Sequence, residues 1–251
     1  MTEAVHKKRF QIRALEIDFR GRLKVESLLS FLMESAAEHA ALFGLSIMEL
    51  FKKNLTWILS RFHVKIFRYP QYGESLVIKT WPSRRKETFT LREFEAYDSQ
   101  GIIAQATSSW LVMDLRNKRP VRIEARLPSY PLLHKRAVED EFDPLPEMKT
   151  EESSLIFPVF MTDLDFNRHV NSMVYIRWAL EAAPRDILFK LRVSEVEINY
   201  RAEAFYGDRI ISCVSRPQQA GGEASLPALI HELRREADGR QLALLKTSWM
   251  E

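Results

Sequence analysis

The sequence predicts an α+β fold in which one arrangement, an antiparallel sheet wrapped around a central helix, occurs twice along the chain. Two observations support this prediction. The first is an internal repeat, and the second is the presence in each half of a long helical stretch followed by several strand-like segments. With 251 residues, 46% of them hydrophobic, the chain is long enough for two small domains with their own cores.

The repeat is carried by identical residues in the two halves. Without a gap, five residues of the second half align with five of the first: Phe157, Asp165, Phe166, Glu181 and Ala183 with Phe10, Asp18, Phe19, Glu34 and Ala36. Two later segments also match: Tyr206-Gly207-Asp208 with Tyr72-Gly73-Glu74, and Thr247-Ser248-Trp249 with Ser108-Ser109-Trp110. We therefore predict a first domain over residues 1–120, a proline-rich linker over residues 121–154 and a second domain over residues 155–251.

In the first half, the elements follow from apolar periodicity and turn residues. Residues 10–19 are predicted as a strand, residues 25–43 as a helix that ends before Gly44, and residues 46–53 as a short helix. Segments rich in Thr, Val, Ile, Phe and Trp then predict four antiparallel strands, at residues 56–67, 75–81, 88–97 and 102–113.

The stretch before the second-half helix holds the densest group of reactive side chains. Asp165, Asn167, His169 and Asn171 alternate along it, which is expected to place them on one side of an extended segment. A helix predicted over residues 173–183 follows, and its first N–H groups favour developing negative charge. Such a cluster suits hydrolysis through an oxyanion. Taken alone, however, a short Asp or Asn before a helix is as often a cap.

The repeat indicates that only the second half keeps a proton-transfer group. In the first half, basic residues occupy the positions that correspond to Asn167, His169 and Asn171, namely Arg20, Arg22 and Lys24. We therefore expect one reaction site, in the second half. The first half is left for another task, such as holding substrate.

Composition and charge restrict the functions and the location that this chain can be expected to have. The net charge is only +3, and the basic clusters lack interleaved aromatics, so nucleic-acid binding has little support. No apolar run reaches the ~18 residues that suggest a membrane span, and the first residues lack a signal-peptide pattern, so we expect a cytoplasmic protein. The single cysteine, Cys213, excludes an intrachain disulfide and a cysteine metal cluster. No metal or other cofactor is predicted.

These motifs resemble those of the acyl-acyl-carrier-protein (acyl-ACP) thioesterases, a family built from two tandem hotdog domains. The family's Asp-x-Asn-x-His-Val-Asn motif corresponds to residues 165–171, and its aromatic-Arg-x-Glu segment to residues 200–203. Residues 53–57 and 68–73 are also similar, and the resemblance covers nearly the whole chain. It implies two hotdog domains and hydrolysis of fatty acyl-ACP to free fatty acid and carrier protein, which terminates fatty acid synthesis.

The resemblance also implies a catalytic set of four residues: Asp165, Asn167, His169 and Glu203. In this set His169 exchanges protons, Glu203 orients it or activates water, and Asn167 supports the oxyanion or holds a water. Asp165 either attacks the thioester directly or orients His169. Several plant members carry a cysteine after the motif glutamate, whereas this chain has Ala204, so a Cys/His/Asn mechanism does not apply.

By the same resemblance, the acyl chain is expected to enter the first domain. It would contact five residues there: Leu28, Leu32, Met33, Ala36 and Trp57. Any one of them taken alone is better explained as core. A basic rim formed by residues 84–86 and 116–119 is expected to meet the acidic carrier protein, and the assembly is left open, a homodimer included.

Three other functions stay open at this level. The same site could hydrolyse acyl-CoA, and kinetics with both carriers would separate the two reactions. A hotdog dehydratase of fatty acid synthesis also uses a histidine and a carboxylate, but the Asp-x-Asn-x-His order argues against it. An acyl-binding module with a decayed site is disfavoured because the second half retains all four polar site residues.

Overall fold

The computed structural model describes residues 3–217 and 227–251. The chain divides into two compact units, Met1–Glu141 and Phe142–Glu251, called unit 1 and unit 2 below. The division falls inside the segment 121–154 that the sequence predicts as a linker. Each unit is an antiparallel sheet with one long helix packed against it, which confirms the α+β prediction.

Unit 1 begins with a strand and its long helix and then adds most of its sheet. Its elements are β1 (His6–Gln11), α1 (Val25–Leu42), α2 (Ile47–Lys52), β2 (Leu55–Ile66), β3 (Ser75–Lys86), β4 (Phe89–Asp98), β5 (Gly101–Asp114), β6 (Arg119–Pro120) and α3 (Ile123–Arg126). The strands pair antiparallel in the order β1-β3-β4-β5-β2, and the short β6 pairs with β5. Helix α1 packs against β1 and β3.

Helix α1 forms where the sequence predicts it, and its apolar stripe supplies the core of unit 1. Leu28, Leu32 and Ala36 follow one another at intervals of one helical turn and are buried. The helix ends at Leu42. Two residues later, Gly44 adopts φ 69°, a left-handed conformation that glycine accepts without steric cost and that closes the last turn.

The strand predictions for unit 1 need two corrections. The strand expected over residues 10–19 ends at Gln11, because the Glu16 carboxylate accepts the backbone N–H of Arg13 at 2.8 Å and draws the chain into a 3-10 turn. The strand expected to stop before Pro82 continues to Lys86, where β3 ends. A register shift follows Pro82, and such a bulge tolerates the missing N–H of proline.

Residues 127–141, called the strap below, contain no helix or strand but are bound to unit 1. The Trp81 indole donates to the carbonyl of Lys135 at 2.8 Å. The Arg136 guanidinium pairs with the fully buried carboxylate of Glu93 at 3.0 Å. This part of the segment predicted as a linker is therefore anchored across β3 and β4.

Unit 2 repeats the plan of unit 1. Its elements are β7 (Ser153–Pro158), α4 (Ser172–Glu181), α5 (Arg185–Lys190), β8 (Arg192–Tyr200), β9 (Arg209–Ser215), β10 (Ala228–Arg235) and β11 (Gln241–Met250). The strands pair antiparallel in the order β8-β11-β10-β9-β7. Helix α4 packs against β9, β10 and β11, and its Ile176, Trp178 and Ala179 are buried. Among residues 3–217 and 227–251, no helix combines the length and the apolarity that crossing a membrane requires.

Candidate active site

A tight turn at residues 165–169 precedes α4 and carries three of the predicted site residues. Asp165 closes it, because its Oδ1 accepts the backbone N–H of Asn167 at 2.8 Å and that of His169 at 3.2 Å. The backbone N–H of Asp165 in turn donates to the His169 carbonyl at 2.8 Å. Arg168 adopts φ 63°, in the left-handed region. The prediction of an extended segment is therefore wrong, since the aspartate side chain competes for the backbone and folds it back.

Unit 1 contains the same turn without the reactive side chains. Asp18 Oδ1 accepts the backbone N–H of Arg20 at 2.8 Å and that of Arg22 at 3.1 Å. Gly21 occupies the left-handed position, at φ 75°. The repeat predicted from the sequence thus extends to individual hydrogen bonds. The turn is a structural device of the fold, and the side chains placed on it decide whether chemistry can occur.

A second segment, residues 200–205, lies beside the turn of unit 2. Val170 donates its backbone N–H to the Ala204 carbonyl at 3.0 Å. The Tyr175 hydroxyl accepts the backbone N–H of Ala204 at 2.9 Å. These bonds fix the segment against the turn and the first residues of α4.

Glu203 projects from this segment toward the turn. Its Oε1 lies 3.0 Å from Nδ1 of His169, and the two side chains are 47% and 29% exposed, respectively. Phe205 packs edge-on against the imidazole, with ring centroids 5.2 Å apart. The structure therefore brings together two residues from separate sequence motifs, in a position that solvent can reach.

The two asparagines of the motif have different surroundings. Asn167 is half-buried on the turn, with its Oδ1 in the interior. Asn171 is the N-cap of α4, since its Oδ1 accepts the N–H of Met173 at 2.9 Å and its carbonyl accepts that of Val174 at 2.9 Å. These two N–H groups are already bonded, so the expected contribution of the helix start to an oxyanion site is not available from them.

The single cysteine of the chain is not poised for nucleophilic chemistry. Cys213 is fully buried on β9, and Arg234 donates to its Sγ at 2.9 Å. Burial, reinforced by Glu151, raises the pKa of Cys213 to about 11, so the thiol is protonated at neutral pH.

Family models match this chain over almost its whole length. The model described as acyl-ACP thioesterase N-terminal domain matches residues 3–128, and the model described as acyl-ACP thioesterase C-terminal domain matches residues 146–251. The chain belongs to the acyl-ACP thioesterase family.

Curated relatives within the acyl-ACP thioesterase family include several plant proteins. The palmitoyl-acyl carrier protein thioesterase of Cuphea hookeriana, named as chloroplastic, is 26% identical over an alignment of 260 positions. The alignment covers 98% of this chain and 62% of the relative. The oleoyl-acyl carrier protein thioesterase 1 of Arabidopsis thaliana is 25% identical, with 97% of this chain and 75% of the relative covered. This chain thus spans less than two thirds of the length of the Cuphea protein.

Solved structures of the acyl-ACP thioesterase family share the fold. The 12:0-ACP thioesterase from Umbellularia californica gives a TM-score of 0.86 at 22% identity, covering 100% of this chain and 95% of the other. An acyl-ACP thioesterase from Bacteroides thetaiotaomicron gives a TM-score of 0.80 at 25% identity, with 98% of both chains covered. These likenesses confirm the predicted architecture of two tandem hotdog domains.

In this member of the acyl-ACP thioesterase family, the residues predicted to contact the acyl chain all lie in unit 1. On α1, three are buried and one is half-buried: Leu28, Leu32 and Ala36, and then Met33. Trp57, on β2, donates its indole N–H to the Leu45 carbonyl at 3.0 Å and packs against the apolar cluster around that residue. Their part in binding stays a prediction.

Arg85, one residue of the basic rim predicted to meet the carrier protein, is engaged within unit 1. The Arg85 guanidinium donates to three carbonyl oxygens at 2.8 to 3.1 Å, those of Ile123, Leu127 and Pro128, and so holds the end of α3. Arg84, Lys86 and residues 116–119 are exposed. The prediction of a docking role therefore no longer includes Arg85.

Sequence reasoning missed the tyrosines that support the site. Besides the contact of Tyr175 described above, the Tyr200 hydroxyl donates to the Ser172 carbonyl at 2.9 Å, and the two rings lie edge to face with centroids 5.7 Å apart. Tyr200 falls inside the family motif at residues 200–203, and Tyr175 lies four residues after the motif at residues 165–171. The signal that could have found them is that a buried tyrosine hydroxyl needs a hydrogen-bond partner.

Proposed function

We propose that this chain hydrolyses the thioester of fatty acyl-ACP and releases free fatty acid and carrier protein. The observation that carries the proposal is the contact of His169 Nδ1 with Glu203 Oε1 at 3.0 Å in unit 2. His169 sits on a turn that unit 1 repeats with Arg22 in place of the histidine. Family membership supplies the substrate class, because the relatives are named for acyl-ACP hydrolysis.

The paired histidine and glutamate suit activation of water. In the proposed arrangement Nδ1–H of His169 donates to Glu203, which leaves Nε2 to accept a proton from a water molecule. The water oxygen attacks the thioester carbonyl, and collapse of the tetrahedral intermediate breaks the carbon–sulfur bond. The protonated imidazole then returns its proton to the departing thiolate, which regenerates the site.

Asn167 is the side chain we assign to the oxyanion. It follows Asp165 on the same turn, and its backbone is fixed by the 2.8 Å bond to Asp165 Oδ1. An amide N–H from a held side chain stabilises charge that develops on the carbonyl oxygen, and loss of one such donor typically lowers kcat by about 10²- to 10³-fold.

Asp165 is proposed to orient the site rather than to attack the thioester. Its Oδ1 holds the backbone of Asn167 and His169, as Asp18 Oδ1 holds the corresponding residues of unit 1. The same role in a half that lacks the reactive side chains indicates that the turn requires the carboxylate for structure. A single turnover in ¹⁸O-water tests this, because label in the Asp165 carboxylate would require direct attack.

The proposed partner is an acyl carrier protein charged with a fatty acyl chain. A cytoplasmic location and a homodimer stay predictions, and the plant relatives carry chloroplastic in their names.

Turnover on parallel panels of acyl-ACP and acyl-CoA tests the function. We expect thiol and free acid to appear with acyl-ACP, at a higher kcat/KM than with acyl-CoA of the same chain length. No thiol release from acyl-ACP of any length would refute the proposal, and a higher kcat/KM for acyl-CoA would reassign the carrier. Enoyl product from 3-hydroxyacyl-ACP would point to a dehydratase instead.

A further inference from the structure

A half-buried arginine, Arg92, lies on the surface of the unit 1 sheet that faces α1. Arg92 pairs across β4 and β5 with Ser108, and Phe94, two residues along the same face of β4, contacts Phe62 with ring centroids 6.1 Å apart. The Arg92 guanidinium reaches His39 of α1. Arg92 therefore points into the space between helix and sheet, where an apolar side chain would be expected.

The hydrogen-bond partners of this guanidinium are neutral. Nη1 donates to Nδ1 of His39 at 3.2 Å and to Oγ1 of Thr80 at 3.2 Å. Nε2 of His39 lies 3.1 Å from the Glu3 carbonyl, so it carries the proton and leaves Nδ1 as an acceptor. Among residues 3–217 and 227–251, no carboxylate pairs with Arg92. A cation that points between a helix and a sheet without a counter-ion is unusual, because desolvation of a charge is normally offset by pairing.

The protonation states follow from the same surroundings. Burial lowers the pKa of Arg92 to about 10, which leaves it charged at neutral pH. Burial, with a smaller effect of Arg92, lowers the pKa of His39 to about 4, which leaves it neutral. The pair is thus a cation and a neutral acceptor, with one positive charge to be matched.

Arg92 is not fully enclosed by its neighbours. His39, Thr80 and Phe94 are buried, whereas Arg92 and Tyr130 are half-buried and so keep accessible surface. Polar groups continue along this wall, since the Tyr130 hydroxyl donates to Oγ1 of Thr90 at 3.1 Å. A small polar group could therefore reach the charge from the accessible side of Arg92.

Arg92 contacts α1 next to the apolar stripe where the acyl chain is expected to bind. Leu28, Leu32 and Ala36 form the apolar stripe of α1, and His39 follows Ala36 by about 4.5 Å along the helix axis. A hydrocarbon end placed against Arg92 would remove water from the charge and return no hydrogen bond. An anionic oxygen would instead gain a charge-assisted bond, in which a guanidinium and a carboxylate match in shape.

We infer that Arg92, with Thr80, forms a subsite for acyl chains whose far end carries a carboxylate. The inference rests on the proposed function in one respect, namely that the acyl chain enters unit 1. The ligand class is thus a dicarboxylic acid joined to the carrier through one of its two acyl groups.

Binding of non-hydrolysable analogues tests the subsite independently of catalysis. The probes are acyl-pantetheine thioethers of graded length that end either in a methyl group or in a carboxylate, titrated calorimetrically into the full chain. We expect that at one length the carboxylate analogue binds at least about tenfold more tightly than its methyl partner, the factor of one charged hydrogen bond. Arg92→Met should reverse this preference, and Arg92→Lys should retain part of it. Arg9→Met, at an exposed position of β1, is the matched control and should behave as wild type.

Each outcome decides the inference. It is overturned if the methyl analogues bind better at every length, if Arg92→Met leaves the preference unchanged, or if no analogue binds. If Arg92→Met does not fold, Thr80→Val removes one partner of the guanidinium and must reduce the preference. Because the thioethers are not cleaved, a preference for carboxylate ends combined with no hydrolysis of acyl-ACP would refute only the proposed function.

Discussion

Substitution of Asp165 separates a structural from a covalent role for this carboxylate. Asp165→Ala removes the acceptor of two backbone N–H groups, at 2.8 and 3.2 Å. For a half-buried turn, two such bonds contribute about 1–3 kcal/mol to the free energy of unfolding. Asp165→Asn retains Oδ1 as an acceptor and should cost less than about 1 kcal/mol.

The repeat supplies a matched control for this prediction. Asp18 makes the equivalent bonds at 2.8 and 3.1 Å in unit 1, so Asp18→Ala should lower stability by a similar amount. The two alanine variants should differ in catalysis. Asp165→Ala releases His169 and should lower kcat by about 10²-fold or more, the effect of misplacing a catalytic group, whereas Asp18→Ala should leave kcat within a few fold.

Urea unfolding and thiol release from acyl-ACP measure the two effects side by side. We expect Asp165→Asn to keep kcat within about tenfold of wild type, because the turn survives. A purely structural role for Asp165 is refuted if Asp165→Asn is as stable as wild type but has no measurable turnover. In that case the carboxylate attacks the thioester, and its bonds to the turn are incidental.

Three further predictions concern stability. Arg136→Met leaves the buried Glu93 carboxylate without its cation and should cost about 3 kcal/mol in urea unfolding, unless Glu93→Gln is introduced with it. Burial lowers the pKa of His231 to about 3, whereas the unfolded chain has a histidine pKa near 6.5. Between these two pKa values the unfolded state binds a proton that the folded state does not. The contribution of His231 to stability should fall by about 1 kcal/mol per pH unit as pH drops from 6.5 toward 5, and urea titrations of His231→Gln should show a shallower slope. A Cβ added at Gly21 would meet no atom within 4 Å, so Gly21→Ala measures only the cost of φ 75°, about 1–2 kcal/mol. At the corresponding position of unit 2, Arg168→Gly should change stability by less than about 1 kcal/mol. An equal loss of stability for the last two variants would count against equivalence of the turns.

The repeat and the long helices were accessible from the sequence because they rest on patterns spread over many residues. Helix α1 begins at Val25 and ends one residue before the predicted limit. The duplicated turns at Asp18 and Asp165 follow the alignment position by position. Identity of a few residues at constant spacing was sufficient to predict two copies of one sheet-and-helix unit, and the family resemblance identified that unit as a hotdog domain.

Features decided by single side chains could not be predicted in this way. The alternation from Asp165 to Asn171 has the period of a strand, yet one carboxylate bonded to two backbone N–H groups folds it into a turn. Arg85 looks like a surface charge in sequence, but it satisfies the carbonyl oxygens that end α3. Arg92 occupies an inward position of β4, where a period-2 pattern predicts an apolar residue. Such contacts depend on tertiary neighbours that local patterns do not contain.

The proposed mechanism depends on the contact between His169 and Glu203, and a double-mutant cycle on acyl-ACP turnover measures how strongly the two residues are coupled. His169→Ala, Glu203→Gln and the double variant would be compared by thiol release, with Arg22→Ala as the control at the corresponding position of unit 1. Each single variant should lower kcat by about 10²- to 10⁴-fold, the double variant should be no worse than the more damaging single one, and Arg22→Ala should stay close to wild type. Full activity of His169→Ala, or losses that simply multiply in the double variant, would contradict the proposed pairing of His169 with Glu203.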